Sequence, residues 1–262
     1  MTIEIHPSSV ISPQAELADG VVIGPFCVVE GDTRIGRGTR LRSHVAVGPH
    51  TEIGEDNVFY PHSAVGMEPQ DLKYRGGATR LVVGNRNMVR ENCTIHRGTE
   101  DGGGITRVGD DNLMQVGAHV AHDCQVGNSC ILAHQSSLAG HVTVGEGSII
   151  GAYSAVHQFC RVGNHAFTGA YTVLTLDVLP FMKTVGTREV KSYGVNSLGL
   201  QRKGFPQETI DALSHAHRVL FRQQLRLEEA LDKLEAEGAT QVPEVAYLLK
   251  FIREAERGIH RG

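Results

Sequence analysis

Aliphatic residues recur at every sixth position along most of the chain. The runs extend from Ile5 to Val65, from Val83 to Ile95 and from Val108 to Leu174. Of these 26 hexads, 23 begin with Ile, Leu or Val, the second residue is often Gly, and the fifth is usually small. A fixed short period sustained in this way is typical of a repeat protein in which similar units stack on one another.

Each hexad is long enough for one short strand and one corner, so three hexads return the chain to its starting face. The aliphatic first residue and the small fifth residue then point inward and form a continuous core, while glycine and polar residues serve the corners. The pattern predicts a mainly β fold, a parallel β-helix of hexapeptide repeats. Residues 18 positions apart should lie above one another in successive coils.

Two insertions interrupt the repeat and define the expected outward loops, residues 71–82 and 101–107. The repeat ends near residue 180, and apolar residues at helical spacing then predict helices over 206–222, 226–237 and 243–254. Pro206 and Pro243 stand where such helices can begin. We therefore expect a β-helix domain over 1–185, followed by a small α-helical C-terminal domain over 186–262.

Composition and charge narrow the function classes. The net charge is −4, so we expect no general affinity for nucleic acid. The N-terminal sequence carries no secretory signal pattern, and no apolar run is long enough for a membrane span. All five cysteines, Cys27, Cys93, Cys124, Cys130 and Cys160, fall on the inward fifth hexad position. They predict buried reduced thiols and a cytoplasmic protein rather than a thiol nucleophile.

Histidines from successive coils share one face of the predicted β-helix. Aligning hexads by coil groups His96, His122, His141 and His157 with Gln158, and His119 precedes them at the adjoining corner. Neutral imidazoles on neighbouring coils can bind zinc, and one imidazole can act as a general base. A set of solvated surface histidines is the third interpretation of the same residues.

His122 is the strongest candidate in this group because Asp123 follows it. A carboxylate beside an imidazole can hold one tautomer and stabilise the imidazolium form. Adjacent residues of a strand point to opposite faces, but the third and fourth hexad positions fall at a corner, where the two side chains can meet. From the residues alone, the site is either an acyltransferase-like general base or a metal site.

Several segments resemble the UDP-N-acetylglucosamine O-acyltransferase family, which starts lipid A biosynthesis. They are IGPFC (23–27), QDLKY (70–74), TIHRGT (94–99), AHVAHDC (118–124), LAGHV (138–142), AVHQFC (155–160) and GVNSLGLQRKGF (194–205). The resemblance covers nearly the whole chain and implies a left-handed β-helix. It also implies transfer of a 3-hydroxyacyl group from acyl carrier protein to the 3-hydroxyl of UDP-N-acetylglucosamine, in a homotrimer, with no cofactor and no metal.

The same resemblance implies roles for individual residues. His122 matches the general base, Asp123 its orienting partner, and Gly140 the glycine whose backbone N–H stabilises the oxyanion. Substrate-contacting positions are matched by Asp71, Lys73, His96, His119, His141, His157 and Gln158. Asn196, Arg202 and Lys203 match residues that hold the nucleotide and its diphosphate, and Ala170 matches the position that limits acyl chain length.

Three positions depart from the family pattern. Leu198 replaces an acidic residue, Lys203 replaces an arginine and cannot form a bidentate fork, and Ala170 can shorten the accepted acyl chain.

An N-acyltransferase acting on an amino-sugar nucleotide is the main alternative. A metal-dependent lyase of the carbonic anhydrase type and an inert β-helix scaffold are further ones. For docking of the acidic carrier protein, Lys73, Arg75, Arg80 and Arg161 are candidate basic residues.

Overall fold

The protein is described by a computed structural model covering residues 2–187 and 189–261. In chain order the strands are β1 (Glu4–Ile5), β2 (Val10–Ile11), β3 (Glu16–Leu17), β4 (Val22–Ile23), β5 (Val28–Val29), β6 (Thr33–Ile35), β7 (Arg40–Leu41), β8 (Ala46–Val47), β9 (Thr51–Ile53), β10 (Val58–Phe59), β11 (Ala64–Met67), β12 (Arg80–Val83), β13 (Met88–Val89), β14 (Thr94–His96), β15 (Ile105–Val108), β16 (Leu113–Met114), β17 (His119–Val120), β18 (Gln125–Val126), β19 (Ile131–Leu132), β20 (Ser137–Leu138), β21 (Thr143–Val144), β22 (Ile149–Ile150), β23 (Ala155–Val156), β24 (Arg161–Val162), β25 (Phe167–Thr168), β26 (Val173–Leu174), β27 (Met182–Val185) and β28 (Lys191–Val195).

From β1 to β23, each strand pairs with the strand three places further along the chain. This pairing produces three sheets, which form the faces of a triangular prism. Sheet A follows the order β1-β4-β7-β10-β13-β16-β19-β22-β25-β27-β28, sheet B the order β2-β5-β8-β11-β14-β17-β20-β23-β26, and sheet C the order β3-β6-β9-β12-β15-β18-β21-β24. Except for the antiparallel β27–β28 pair, the pairings are parallel. The predicted mainly β fold, a left-handed parallel β-helix with a small helical end, is confirmed.

The hexad period arises because each strand contributes one inward residue to the core. Val120, Leu138 and Val156 pair in register on sheet B and are 0–1 % exposed. All five cysteines are free and buried in the same core, as the fifth hexad position predicts. Burial raises the pKa of the Cys124 thiol to about 12. These thiols therefore fill space and stay protonated.

The corners differ from the expectation that glycine serves them. The left-handed turn residue is the fourth of the hexad, and it is usually not glycine: φ is +61° at Asp123 and +62° at His141. Glycine at the second position instead permits close approach between coils, since a Cβ on Gly36 would lie 2.5 Å from the Gly54 carbonyl carbon. Positive φ is thus a property of this architecture and does not by itself mark a functional site.

The outward loops lie slightly earlier than the sequence suggests. They span 68–79 and 97–104, because β12 begins at Arg80 and β15 at Ile105. Leu81 and Thr106 are fully buried, so residues expected in the loops belong to the core. Both loops leave the prism between sheets B and C, one coil apart.

The C-terminal end packs four α-helices against the last coils. They are α1 (Ser197–Arg202), α2 (Gln207–Arg222), α3 (Leu227–Ala236) and α4 (Pro243–Arg253), with a 3₁₀ helix at Ala239–Gln241. The three predicted helices are present, whereas α1 was not predicted. The strand pairing of sheet A runs to Val195, past the boundary expected after residue 185. No helix within the described part of the chain is long and apolar enough to cross a membrane.

Candidate active site

Four of the five candidate histidines come together on sheet B and at the corner that follows it. His96 lies in β14 and His119 in β17, and their ring centroids are 5.5 Å apart. His122 and His141 occupy the same corner in successive coils, with ring centroids 5.2 Å apart. His119 was expected at a corner, but it is a strand residue whose backbone pairs with Thr94 and Ser137.

His122 and Asp123 form a hydrogen-bonded pair at the corner. His122 Nδ1 lies 2.8 Å from Asp123 Oδ2, and the Asp123 side chain is only 1 % exposed against 15 % for His122. The left-handed φ of Asp123 turns its side chain back toward its neighbour, which a strand would not allow. The carboxylate therefore selects the tautomer with a proton on Nδ1 and leaves Nε2 able to accept one.

Thr99 binds the carboxylate from the opposite side. The Thr99 hydroxyl donates to Asp123 Oδ2 at 2.6 Å, and its backbone N–H donates to Oδ1 at 3.0 Å. The Asp123 N–H in turn donates to the Thr106 hydroxyl at 2.7 Å. The carboxylate thus accepts hydrogen bonds from three donors: the Thr99 hydroxyl, the Thr99 N–H and His122. These bonds offset the cost of burying its charge.

The loop 97–104 closes over Asp123 because two glycines allow it. A Cβ on Gly98 would lie 2.8 Å from Asp123 Oδ1, and a Cβ on Gly102 would lie 2.1 Å from Oδ2 and 2.6 Å from His141 Cε1. Larger residues at these positions would push the loop away and admit water to the carboxylate. The loop therefore contributes the burial of Asp123 as well as the Thr99 donors.

His141 sits between Asp123 and an exposed aromatic ring. Its Nε2 lies 3.8 Å from Asp123 Oδ2, and its ring stacks on Phe159 with centroids 4.4 Å apart. Burial lowers the pKa of His141, while the nearby carboxylates of Asp123 and Asp71 act in the opposite direction. Asp71 therefore brings the loop 68–79 to the histidine cluster.

His96 and His119 are held neutral. Burial lowers the pKa of His119 to about 4, with smaller contributions from His96 and His122. Burial also lowers the pKa of His96, whose Nδ1 is hydrogen-bonded to the Glu68 carbonyl oxygen. Neutral imidazoles can both donate and accept hydrogen bonds, which suits recognition of sugar hydroxyl and amide groups.

Gly140 lies directly beside the ring of His122. A Cβ at this position would come within 2.5 Å of His122 Cε1 and 2.8 Å of Nε2. The ladder between coils uses the N–H groups of Ala139 and His141 on either side. Among residues 2–187 and 189–261, no acceptor takes the Gly140 N–H. This amide is therefore available to an oxygen placed near Nε2.

A metal ion has candidate ligands here too. His122, Asp123 and His141 each offer one ligand atom within 4.8 Å of the others, and they form the only group of this type in the described part of the chain. However, Asp123 Oδ2 already accepts hydrogen bonds from Thr99 and His122. A cation would have to displace both donors, so the arrangement suits a proton-transfer pair better than a ligand set.

The loop 68–79 is tied to the segment that follows β14. The Arg97 guanidinium is buried and donates to the Gly66 carbonyl and to the Tyr74 hydroxyl at 3.1 and 2.9 Å. Glu100 accepts from the backbone N–H groups of Arg75 and Gly77. Lys73 is exposed, and its backbone N–H donates to Asp71 Oδ1 at 3.0 Å. The loop thus presents Asp71 inward and Lys73 outward.

His157 and Gln158 lie one coil beyond His141. Both are exposed, and His157 Nδ1 is 3.2 Å from the Gln158 carbonyl oxygen. Phe159, the residue that stacks on His141, follows directly and is 52 % exposed. The three residues extend the histidine corner toward the C-terminal end of the prism.

The remaining predicted residues lie at other corners of the same chain. Lys203 donates to the Gly147 carbonyl at 3.0 Å, and the Asn196 side chain donates to the His165 carbonyl at 3.3 Å, both at the corner between sheets C and A. Arg202 is exposed at the end of α1. Ala170 is exposed at the corner between sheets A and B, next to Tyr171. One chain alone does not bring these residues to His122.

Three of the four candidate basic residues have acidic partners. Arg75 pairs with Asp101, Arg80 with Glu52, and Arg161 with Asp177 at 2.8 Å. Arg161 also donates to the Phe251 carbonyl and stacks over the Phe251 ring, so it joins the β-helix to α4. The charge of Arg161 therefore serves the junction with the helical end, and its place in a docking patch stays a prediction.

Sequence reasoning missed Thr99, Gly98 and Gly102 as parts of the site. The glycine-rich run that follows Thr99, in an insertion next to the HDC hexad, was the available signal. It indicates close approach of a loop, but only the folded chain shows that Asp123 lies beneath it. Phe159 was missed because an aromatic residue at a corner resembles other exposed corner residues, such as Tyr153 and Tyr171.

Comparisons with known proteins agree on one family. Residues 177–260 match the family model for UDP-N-acetylglucosamine O-acyltransferase, domain 2. The chain is 50 % identical over 258 residues to the acyl-[acyl-carrier-protein]–UDP-N-acetylglucosamine O-acyltransferase of Thermodesulfovibrio yellowstonii, covering 98 % of this chain and 99 % of that protein.

Solved structures show the same architecture. The UDP-N-acetylglucosamine O-acyltransferase of Moraxella catarrhalis superposes with a TM-score of 0.94 at 43 % identity, covering 100 % of both chains. The UDP-N-acetylglucosamine acyltransferase of Francisella novicida gives 0.95 at 35 % identity, covering 98 % of this chain and 94 % of that one. The similarity thus extends through both the β-helix and the helical end.

Proposed function

The chain belongs to the UDP-N-acetylglucosamine O-acyltransferase family, and on that premise we propose how it performs this acyl transfer. It moves a 3-hydroxyacyl group from acyl carrier protein to the 3-hydroxyl of UDP-N-acetylglucosamine, the first step of lipid A biosynthesis. His122 is the general base, Asp123 its partner, and Gly140 the oxyanion donor. The hydrogen bond between His122 and the buried Asp123 carboxylate is the observation that carries this assignment.

In the proposed reaction, His122 Nε2 takes the proton of the sugar 3-hydroxyl while that oxygen bonds to the acyl carbonyl carbon. The carbonyl oxygen becomes an oxyanion beside the Gly140 N–H, which stabilises it. Collapse of this intermediate breaks the bond to the carrier thiol, and the protonated His122 returns its proton to the leaving sulfur. The Asp123 carboxylate stabilises the imidazolium between the two proton transfers.

The surrounding residues are proposed to hold the substrates. His96, His119 and His141 are neutral and line the approach to His122, so they can hydrogen-bond to sugar and acyl groups without repelling a cationic base. Asp71 and Lys73 approach from the loop 68–79. His157 and Gln158 continue the same corner and are proposed to contact the substrate farther from the reacting atoms.

A homotrimer is proposed to complete the site, and the two contrasting outer faces support it. The outward residues of sheet A are apolar over six successive strands (Val58, Met88, Leu113, Ile131, Ile149 and Phe167), whereas those of sheet C include Glu16, Arg34, Glu52, Arg107 and Arg161. A long apolar face favours burial against a second copy of the chain. Asn196, Arg202, Lys203 and Ala170 flank sheet A, so a neighbouring subunit can bring them to His122.

The roles of these four residues remain part of the proposal. Asn196, Arg202 and Lys203 are proposed to bind the nucleotide and its diphosphate, with Lys203 able to supply a point charge rather than a bidentate fork. The methyl group of Ala170 is proposed to limit acyl chain length. Five buried, unpaired thiols are consistent with a cytoplasmic enzyme.

The direct test is turnover of UDP-N-acetylglucosamine with a panel of 3-hydroxyacyl carrier proteins, for the native chain, His122→Ala and His50→Ala. We expect His122→Ala to lower kcat by about 10²-fold or more. His50, a half-buried corner histidine that pairs with Asp32 away from the site, is the matched control, and His50→Ala should leave kcat unchanged. Native turnover that survives in His122→Ala would contradict the assignment. A 3-amino sugar nucleotide in the same panel tests the N-acyltransferase alternative.

A further inference from the structure

Thr99 stands out because nothing in the proposed reaction assigns it a role, yet it makes two hydrogen bonds to Asp123. Its hydroxyl donates to Oδ2 at 2.6 Å, and its backbone N–H donates to Oδ1 at 3.0 Å and to Oδ2 at 3.2 Å. The residue is 4 % exposed and belongs to the loop 97–104 that covers Asp123. It therefore contacts the partner of the base and not the reacting atoms.

We propose that Thr99 is a positioning residue that fixes the Asp123 carboxylate for proton transfer by His122, an inference that rests on the proposed general-base role of His122. Asp123 Oδ2 receives both the Thr99 hydroxyl and His122 Nδ1, at 2.6 and 2.8 Å. The two donors approach one oxygen, so the hydroxyl sets both where that oxygen lies and how much of its negative charge faces the imidazole.

Removing the hydroxyl should have two effects that can be separated. The carboxylate loses one of its fixed contacts and can rotate away from the productive orientation, which lowers kcat. Its remaining negative charge is also less neutralised, so protonated His122 is more stabilised and a higher pH is needed to generate the neutral base. The acid limb of the pH profile should therefore move to higher pH.

The segment 97–100, which contains Thr99, also holds the loop 68–79 in place. Arg97 binds the Tyr74 hydroxyl and Glu100 binds the N–H groups of Arg75 and Gly77, on either side of Thr99. A single stretch of four residues thus anchors the loop that carries Asp71 and Lys73 and also anchors Asp123. A purely structural role for Thr99 would disturb the loop and raise KM, whereas a positioning role acts on kcat.

The test compares Thr99→Val, Thr99→Ser and the control Thr39→Val in the full-length protein. Val keeps the shape and removes the hydroxyl, and Ser restores the hydroxyl. Thr39 is a buried threonine whose hydroxyl donates to the Gly54 carbonyl at 2.8 Å in a coil remote from the site. We expect Thr99→Val to lower kcat by about 10-fold or more with KM changed less than about 2-fold, and Thr99→Ser to recover most of the loss.

The pH profile and a double substitution complete the test. Thr99→Val should move the acid limb of kcat/KM to higher pH, and Thr39→Val should not. In an Asp123→Asn background, Thr99→Val should change kcat by less than about 2-fold, because its effect passes through the carboxylate. The proposal would be overturned if Thr99→Val lowered kcat in the Asp123→Asn background as much as it does in the native chain. It would also be overturned if Thr99→Val alone kept the native kcat and the native acid limb of kcat/KM. His122→Ala run alongside separates the two failures, since retained activity there would refute the general base itself.

Discussion

Two His–Asp pairs occupy the corner of the prism that follows sheet B, one after strands β5 and β8 and the other after β17. Asp32 and His50 lie one above the other in successive coils, with His50 Nδ1 2.5 Å from Asp32 Oδ2. Asp123 lies against His122 in its own coil and 3.8 Å from His141 in the next. Asp32, His50, Asp123 and His141 all take the left-handed turn conformation at the fourth hexad position. Both aspartates therefore share one backbone conformation, and both carboxylates lie within hydrogen-bonding distance of an imidazole.

Burial and anchoring do distinguish them. The Asp32 side chain is 70 % exposed, and a hydrogen bond from His50 lowers the pKa of its carboxyl group. The Asp123 side chain is 1 % exposed beneath a glycine-rich loop, with two donors from Thr99. Solvent screens the first pair and leaves its side chains free to move, whereas the second is fixed in a low-dielectric site. In the proposed mechanism, the loop that covers the Asp123 carboxylate is therefore what sets His122 apart from His50.

Asp123→Asn should give the largest difference between the two pairs. An amide cannot stabilise the imidazolium and favours the wrong tautomer of His122, so we expect kcat to fall by about 10²- to 10³-fold. The matched substitution Asp32→Asn should leave kcat within about 2-fold of native, since that pair is screened by solvent. Steady-state turnover of both variants checks this. Comparable losses would mean that burial is not what separates the pairs.

Gly140→Ala should have the next largest effect. Its methyl group would come within 2.5 Å of His122 Cε1, so the imidazole must move from its place beside the oxyanion donor. We expect kcat to fall by about 10- to 100-fold. Gly36→Ala is the control, because its Cβ meets the Gly54 backbone at the same distance but far from the site. That variant should lose thermal stability and keep its kcat, and the reverse outcome would contradict the assigned role of Gly140.

The buried histidines should make folding stability depend on pH in a defined window. Burial lowers the folded-state pKa of His119 to about 4, below the ordinary value of 6.5. The unfolded chain therefore binds more protons in between, and stability is lost as pH falls from about 6.5 toward 4. In the His119→Gln variant, the loss in the free energy of unfolding over this pH range should be smaller by on the order of 1–3 kcal/mol. Denaturant unfolding at several pH values measures it.

The sequence predicts the repeat far better than it predicts the site. One inward residue in six specifies each strand, so the coils, the buried cysteines and the alignment of His96 with His122 and His141 follow from periodicity. The loop limits were displaced because β12 and β15 are four residues long and take Arg80 and Ile105 into strands. Helix α1 was missed since SLGLQR is too short to show a helical period.

The site itself depends on contacts between segments that the repeat does not describe. His122 and Asp123 are neighbours in sequence, and a corner at the third and fourth hexad positions was enough to expect that they meet. Thr99 lies 24 residues before Asp123, and its role depends on the path of the loop 97–104. Lys203 and Asn196 were grouped with the histidines by resemblance, yet within one chain they lie at a different corner. Such placements require the three-dimensional path of the chain.

The most direct test of a metal-free base paired with a buried carboxylate is the pH dependence of kcat/KM in the presence and absence of EDTA, for the native chain and His122→Ala. We expect one acid limb in the native profile, unchanged by chelation, and its loss together with at least about 10²-fold of the activity in His122→Ala. Activity abolished by EDTA, or an acid limb that persists in His122→Ala, would contradict the account.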